Sequence, residues 1–132
     1  MEGHRNNSKK RDAVLSLLRS TKAHPSAEML FSVLKAGDPG LGIATVYRNL
    51  SILQQEGVIR SVGSVDGQER YDADLHPHGH FVCSLCGSVL DFELPEAISS
   101  SLSGPALPEG CVVSGLELRL EGTCPECSVG RQ

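Results

Sequence analysis

Apolar residues recur at helical spacing three times in the first half of the chain. Over residues 9–20 they are Val14, Leu17 and Leu18, with Lys9, Lys10, Arg11 and Arg19 on other faces and Ser8 as the expected N-cap. Ala23-His24-Pro25-Ser26 breaks the pattern, since Pro25 cannot continue a helix and Ser26 can cap the next one. A second helix over about 27–36 turns Ala27, Leu30, Val33 and Leu34 inward, and Gly37-Asp38-Pro39-Gly40 is a turn. A third runs from near Gly42 to about Gln55. It buries Ile43, Val46, Tyr47, Leu50 and Leu53, leaves Thr45, Arg48, Asn49 and Gln55 toward solvent, and stops at Gly57. Val58–Val62 and Gln68–Tyr71 then read as strands joined by the hairpin signal Asp66-Gly67. Three helices followed by a hairpin is the order of a winged helix-turn-helix. A polar face carrying Arg48 and Asn49 suits a DNA major groove about 12 Å wide, although a solvated helix face would look the same.

The second half changes character. Residues 73–80 read as a hinge, because Pro77 and Gly79 interrupt regular structure. Phe81-Val82-Cys83 and Val89–Phe92 read as a strand pair, and Leu94–Leu102 as a short helix opened by Pro95. Residues 112–121 end in alternation, with Leu116, Leu118 and Leu120 on one face and Glu117, Arg119 and Glu121 on the other. The residues after Cys127 are expected to fray. The domain limits that follow are 1–72, a hinge at 73–80, and 81–132.

The chain has 132 residues and a net charge of −4, enough for one domain or two small ones. The charge is uneven. Residues 1–72 hold 10 Lys/Arg against 8 Asp/Glu, and residues 73–132 hold 2 against 8. A basic half joined to an acidic half fits a DNA reader carried on a regulatory module. No apolar run approaches the roughly 18 residues of a membrane span, and the polar start is not that of a signal peptide. The expected location is the cytoplasm, where paired cysteines read as metal ligands before disulfides.

Two sites stand out. Cys83-x-x-Cys86 and Cys124-x-x-Cys127 are two halves of a tetrahedral thiolate site suited to structural zinc. Their wide separation means that the site would close a long loop. Cys111 stands apart and is expected to be a small buried apolar residue. In the second site, His78 and His80 share one side if read as a strand, roughly 7 Å apart at their bases. Carboxylates at Asp72, Asp74 and Asp91 and a distant His24 are available to a harder ion such as iron, manganese or zinc. His76 reads as solvated. The competing functions are a non-haem iron enzyme, which leaves the helix pattern unexplained, and a Cys-x-x-Cys oxidoreductase, which tight zinc retention would exclude.

These motifs together resemble the ferric uptake regulator (Fur) family of metal-dependent bacterial repressors over about residues 8–127. The resemblance is carried by Ala23–Ala27, Gly42–Leu50, Arg70-Tyr71-Asp72, His78-Gly79-His80-Phe81-Val82-Cys83-x-x-Cys86-Gly87 and Cys124-x-x-Cys127. It implies an α+β fold, an N-terminal winged helix-turn-helix domain plus a small C-terminal α/β dimerisation domain. It also implies a homodimer on a palindromic double-stranded DNA operator, no enzymatic turnover, and DNA contacts from Thr45, Tyr47, Arg48 and Asn49. The regulatory ion, Fe2+ or Mn2+, would be held by His24, Asp72, His78, His80 and Asp91. Aspartate at both 72 and 91 is similar to the peroxide-sensing branch, in which iron and hydrogen peroxide oxidise histidines matching His24 and His78. The alternative is a repressor responding to iron or zinc level alone. A further metal site found in many relatives is expected to be absent, since its positions read Pro77, Gly79 and Gly115. Arg48 is as in the ferric-uptake branch, where some peroxide sensors have Asn.

Overall fold

A computed structural model describes residues 2–101, 107–113 and 116–129, in two compact units, 1–75 and 76–132. Leu102, Gly115 and the last three residues of the chain lie outside the described set.

In the first unit, α1 (Glu2–Arg19), α2 (Ala27–Leu34) and α3 (Ile43–Gln55) precede the antiparallel hairpin of β1 (Arg60–Val65) and β2 (Gln68–Asp72). This is the expected winged-helix order. Helix α1 begins well before Ser8, so Ser8 is an interior residue and not a cap. No proline or turn signal in residues 2–7 stops the helix, and Gly3 alone is a poor helix former. Ser26 does cap α2, its hydroxyl accepting from the Met29 N–H at 3.2 Å. Val14, Leu18, Ala27, Leu30, Val46, Leu50, Leu53, Ile59 and Tyr71 form the core. Val33 is exposed, because the Ala27–Leu30–Leu34 stripe passes on the other side of a 3.6-residue turn.

Helix α3 ends on a Schellman motif. Gly57 sits at φ 77°, its N–H bonds the Gln54 carbonyl at 3.1 Å, and the Val58 N–H bonds Leu53 at 3.1 Å. Val58 and Ile59 are thereby drawn into the helix stop, and the strand starts at Arg60. The hairpin tip has Asp66 and Gly67 both at positive φ, the conformation a two-residue primed turn demands.

In the second unit, β3 (His78–Cys83) is central. It pairs antiparallel with β4 (Val89–Glu93) and parallel with β5 (Arg119–Gly122). Two short helices, α4 (Glu96–Ser101) and α5 (Pro125–Val129), complete it. Gly79 does not interrupt the chain as expected but lies inside β3. It pairs with Phe92, and a Cβ there would run into the Phe92 ring. The glycine is thus a close-approach residue rather than a hinge residue. The late strand is shorter than the alternation suggests, since Leu116–Leu118 precede it without regular structure. Ser128 and Val129 do not fray as expected, because α5 includes both and the Ser128 hydroxyl donates to the Cys124 carbonyl at 2.9 Å. Cys111 is exposed rather than buried.

Candidate metal centres and nucleic-acid interface

The parallel pairing of β3 with β5 explains how cysteines 38 positions apart, Cys86 and Cys124, meet. Cys83 lies opposite Gly122, and the Ser84 N–H donates to the Gly122 carbonyl at 2.8 Å, so both strands end side by side. Cys83 ends β3 and Cys86 lies in the turn after it, closed by a 3.0 Å bond from the Gly87 N–H to the Cys83 carbonyl. Cys124 precedes Pro125 at the first position of α5, which brings Cys127 round. All four sulfurs lie within 4.8 Å of one another, and Cys86 and Cys124 are 3.7 Å apart. Sulfurs about 2.3 Å from a tetrahedral zinc ion would stand about 3.8 Å apart, so the cluster fits that ion.

The cysteines are also electrostatically prepared. The Cys124 N–H points at the Cys83 sulfur at 3.3 Å, and this bond, with a second from the Cys86 N–H, pulls the Cys83 thiol down to about 6. Cys127 is pushed up to about 12, first by its thiol hydrogen bonds with Cys124 and Cys83. The opposite shifts have different causes, backbone N–H donors for Cys83 and neighbouring thiols for Cys127. Four sulfurs this close share their protons, and all can be thiolates only with a cation among them.

The harder ligands are also gathered, each set within its own unit. In the first, His24 is 2% exposed and its Nδ1 lies 3.6 Å from Asp72 Oδ2. The other Asp72 oxygen accepts the Asp74 N–H at 2.8 Å, so Asp74 braces the carboxylate through its backbone. In the second, His80 and Asp91 are cross-strand partners in register, and period two places His78 on the same side. The Nε2 atoms of His78 and His80 both lie 3.4 Å from Asp91 Oδ1, and the two rings lean together to 4.6 Å between centroids. His78 Nδ1 faces the His76 carbonyl. A carbonyl only accepts, so Nδ1 carries a proton and Nε2 is the nitrogen turned toward Asp91. A metal-binding histidine is commonly oriented in this way. His76 itself is exposed, and it serves through its backbone.

The recognition-helix reading needs one correction. Asn49 is 2% exposed and its Nδ2 is buried, so it is no candidate for DNA. It stands three residues after Val46 and four before Leu53, inside the core stripe. That spacing was visible in the chain, but residue polarity masked it. Tyr47, expected in the stripe, is instead 46% exposed. Its hydroxyl donates to the Glu28 carboxylate, which lowers the Glu28 pKa and raises that of Tyr47. Arg48 is exposed, and Thr45 is half-buried.

The model of the "Ferric uptake regulator family" matches residues 2–105, and the chain belongs to that family. Its members are metal-responsive transcription regulators that bind DNA as dimers, and not enzymes. The chain is similar to the peroxide operon regulator of Bacillus subtilis, with 32% identity over 118 residues, covering 89% of this chain and 81% of that protein. Its fold is similar to that of the Helicobacter pylori ferric uptake regulator Fur, a structure described as having three functional metal binding sites. The TM-score is 0.78 at 26% identity, covering 91% of this chain and 80% of the other. It is also similar in fold to the Campylobacter jejuni peroxide stress regulator, with a TM-score of 0.76 at 24% identity over 96% and 94% of the two chains. Among the described residues, no helix is long and apolar enough to cross a membrane.

Proposed function

We propose that this protein is a homodimeric repressor in which one Fe2+ or Mn2+ ion, held by His24, Asp72, His78, His80 and Asp91, controls DNA binding, and that with iron it senses hydrogen peroxide. The observation that carries the reading is the ligand chemistry within each unit. His24 meets Asp72 in one, and His78 and His80 converge on Asp91 in the other. Imidazole with carboxylate suits iron or manganese, whereas the four cysteines suit a separate structural Zn2+. An ion that needs ligands from both units favours whichever conformer presents them all. Aspartate at both carboxylate positions, and the similarity to a peroxide operon regulator, favour the redox form.

Ferrous iron held by these residues would activate hydrogen peroxide beside the imidazoles, and the two electrons that reduce the peroxide come from the oxidised ring carbon. In balance, one peroxide gives one water and leaves one oxygen on a ring carbon of His24 or His78. A ring so altered is a poorer ligand, and the DNA-binding conformer loses its support. Iron-loaded protein exposed to one equivalent of peroxide should show one added oxygen on a peptide containing His24 or His78 by mass spectrometry, and manganese-loaded protein none. Unmodified peptides, with DNA affinity unchanged, would leave a repressor that reads metal level only.

The dimer is proposed to form through the second unit. Phe81 is in register with Leu90 on one side and Leu120 on the other, giving one apolar row across the sheet. Leu90 and Leu120 are 45% and 47% exposed, and a second copy of the chain would cover them. Two copies of α3 one helical turn apart, about 34 Å, would meet a palindromic operator. The proposed contacts from α3 are Thr45, Tyr47 and Arg48. Arg48→Ala is expected to weaken binding to a selected DNA duplex about tenfold or more, worth about 1–3 kcal/mol if Arg48 grips a base. Manganese affinity should be unchanged by calorimetry. Equal DNA binding by both proteins, read by fluorescence anisotropy, would remove α3 from the groove.

A further inference from the structure

The geometry points to Arg70 as the positioning residue for His24, a role that rests on the reading of His24 as a metal ligand. His24 lies at φ 51°, in the left-handed region that non-glycine residues avoid at a cost of roughly 1–2 kcal/mol, and it is followed by Pro25, which narrows its choices further. Such a backbone persists only when its surroundings fix it. Here one guanidinium does so. Arg70 Nε donates to the His24 carbonyl and Nη2 donates to the Ala23 carbonyl at 2.9 Å.

The wing strand adds further ties. The Tyr71 N–H donates to the Pro25 carbonyl at 3.1 Å, and Ser26 pairs with Arg70 as an isolated antiparallel bridge. The loop is therefore laced to β2 as a fragment of a third strand. Arg70 and Asp72 are two apart on β2 and so lie on the same side of it. One takes hold of the His24 backbone, and the other lies 3.6 Å from its imidazole. The strand that forms the wing thus holds the ligand twice. Movement of the wing on DNA and placement of the His24 ring are one motion in this arrangement. The coupling runs in both directions, because linkage between two bound partners is reciprocal.

A lysine at 70 keeps the charge but cannot span two carbonyls in one plane. The test uses full-length, zinc-loaded protein, with manganese titrated by calorimetry into wild type, Arg70→Lys, His24→Ala and the double variant. Arg70→Lys is expected to keep its circular dichroism and to bind manganese 10–100-fold more weakly, the usual cost of losing a group that orients a ligand. The double variant should bind no more weakly than His24→Ala alone, because a residue that acts only through His24 has nothing left to position. Wild-type affinity in Arg70→Lys, or a loss that adds in full to that of His24→Ala, would overturn the role. If His24→Ala itself binds manganese like wild type, the five-ligand reading falls first and the positioning role falls with it. Should Arg70→Lys not fold, Arg70→Gln, which keeps one side-chain donor, is read in the same way. Unfolding of both would make Arg70 a residue of the fold and would also overturn the proposal.

Discussion

Cys83→Ser is expected to strip the thiolate cluster of its metal and unfold the C-terminal unit while the N-terminal unit stays folded. The two units are held together by different means. The first has a continuous apolar core running from Val14 to Tyr71. Among the described residues, the second buries Val82 and Val89 as its large aliphatic residues, and its other buried apolar residues are Cys83 and Cys124 themselves. A sheet of three short strands with so thin a core needs a staple. Structural zinc supplies apparent binding free energies of about 10–16 kcal/mol, all of it available to folding. The chain favours the Cys83 thiolate through N–H bonds from Cys124 and Cys86. The variant should lose its zinc equivalent in a metal assay, elute as a monomer, and show a partial loss of circular dichroism with one residual thermal transition. Full zinc content with the wild-type unfolding curve would contradict the assignment. The same cluster should release zinc as pH falls, since each sulfur must give up a proton to bind.

His80→Ala is expected to give the second large effect, a folded dimer that no longer tightens on DNA when manganese or iron is added. His80 is buried and in register with Asp91, and its Nε2 is 3.4 Å from that carboxylate. Removing it takes out one proposed ligand and also leaves Asp91 with one imidazole fewer. The thiolate cluster lies at the far end of β3, so folding should survive. Anisotropy on a duplex selected by the wild-type protein should show a metal-induced gain of at least tenfold for wild type and close to none for the variant. A variant that kept the gain would exclude His80 from the switch.

Much of this was readable in the chain because the governing rules are local. Helical spacing, the Ser26 cap, the Asp66-Gly67 turn, the two Cys-x-x-Cys pairs and the shared side of His78 and His80 all depend on neighbours within a few residues. What the chain concealed depends on distant partners. Polarity suggested that Asn49 faced water and Tyr47 the core, but the position of the Val46–Leu50–Leu53 stripe decides both. Gly79 reads as a breaker until Phe92 is set against it. The length of β5 and the exposure of Cys111 are likewise tertiary outcomes. Arg70 gave no local signal, since the carbonyls it holds are 46 and 47 residues away.

The strand order of the second unit has a consequence for biosynthesis. The central strand β3 is made well before its parallel neighbour β5 and the last two sulfurs, Cys124 and Cys127. On the ribosome the first unit can fold while the second is still an open hairpin. A nascent chain that stalls before residue 124 would carry a folded first unit beside a second unit that has only two of its four clustered sulfurs.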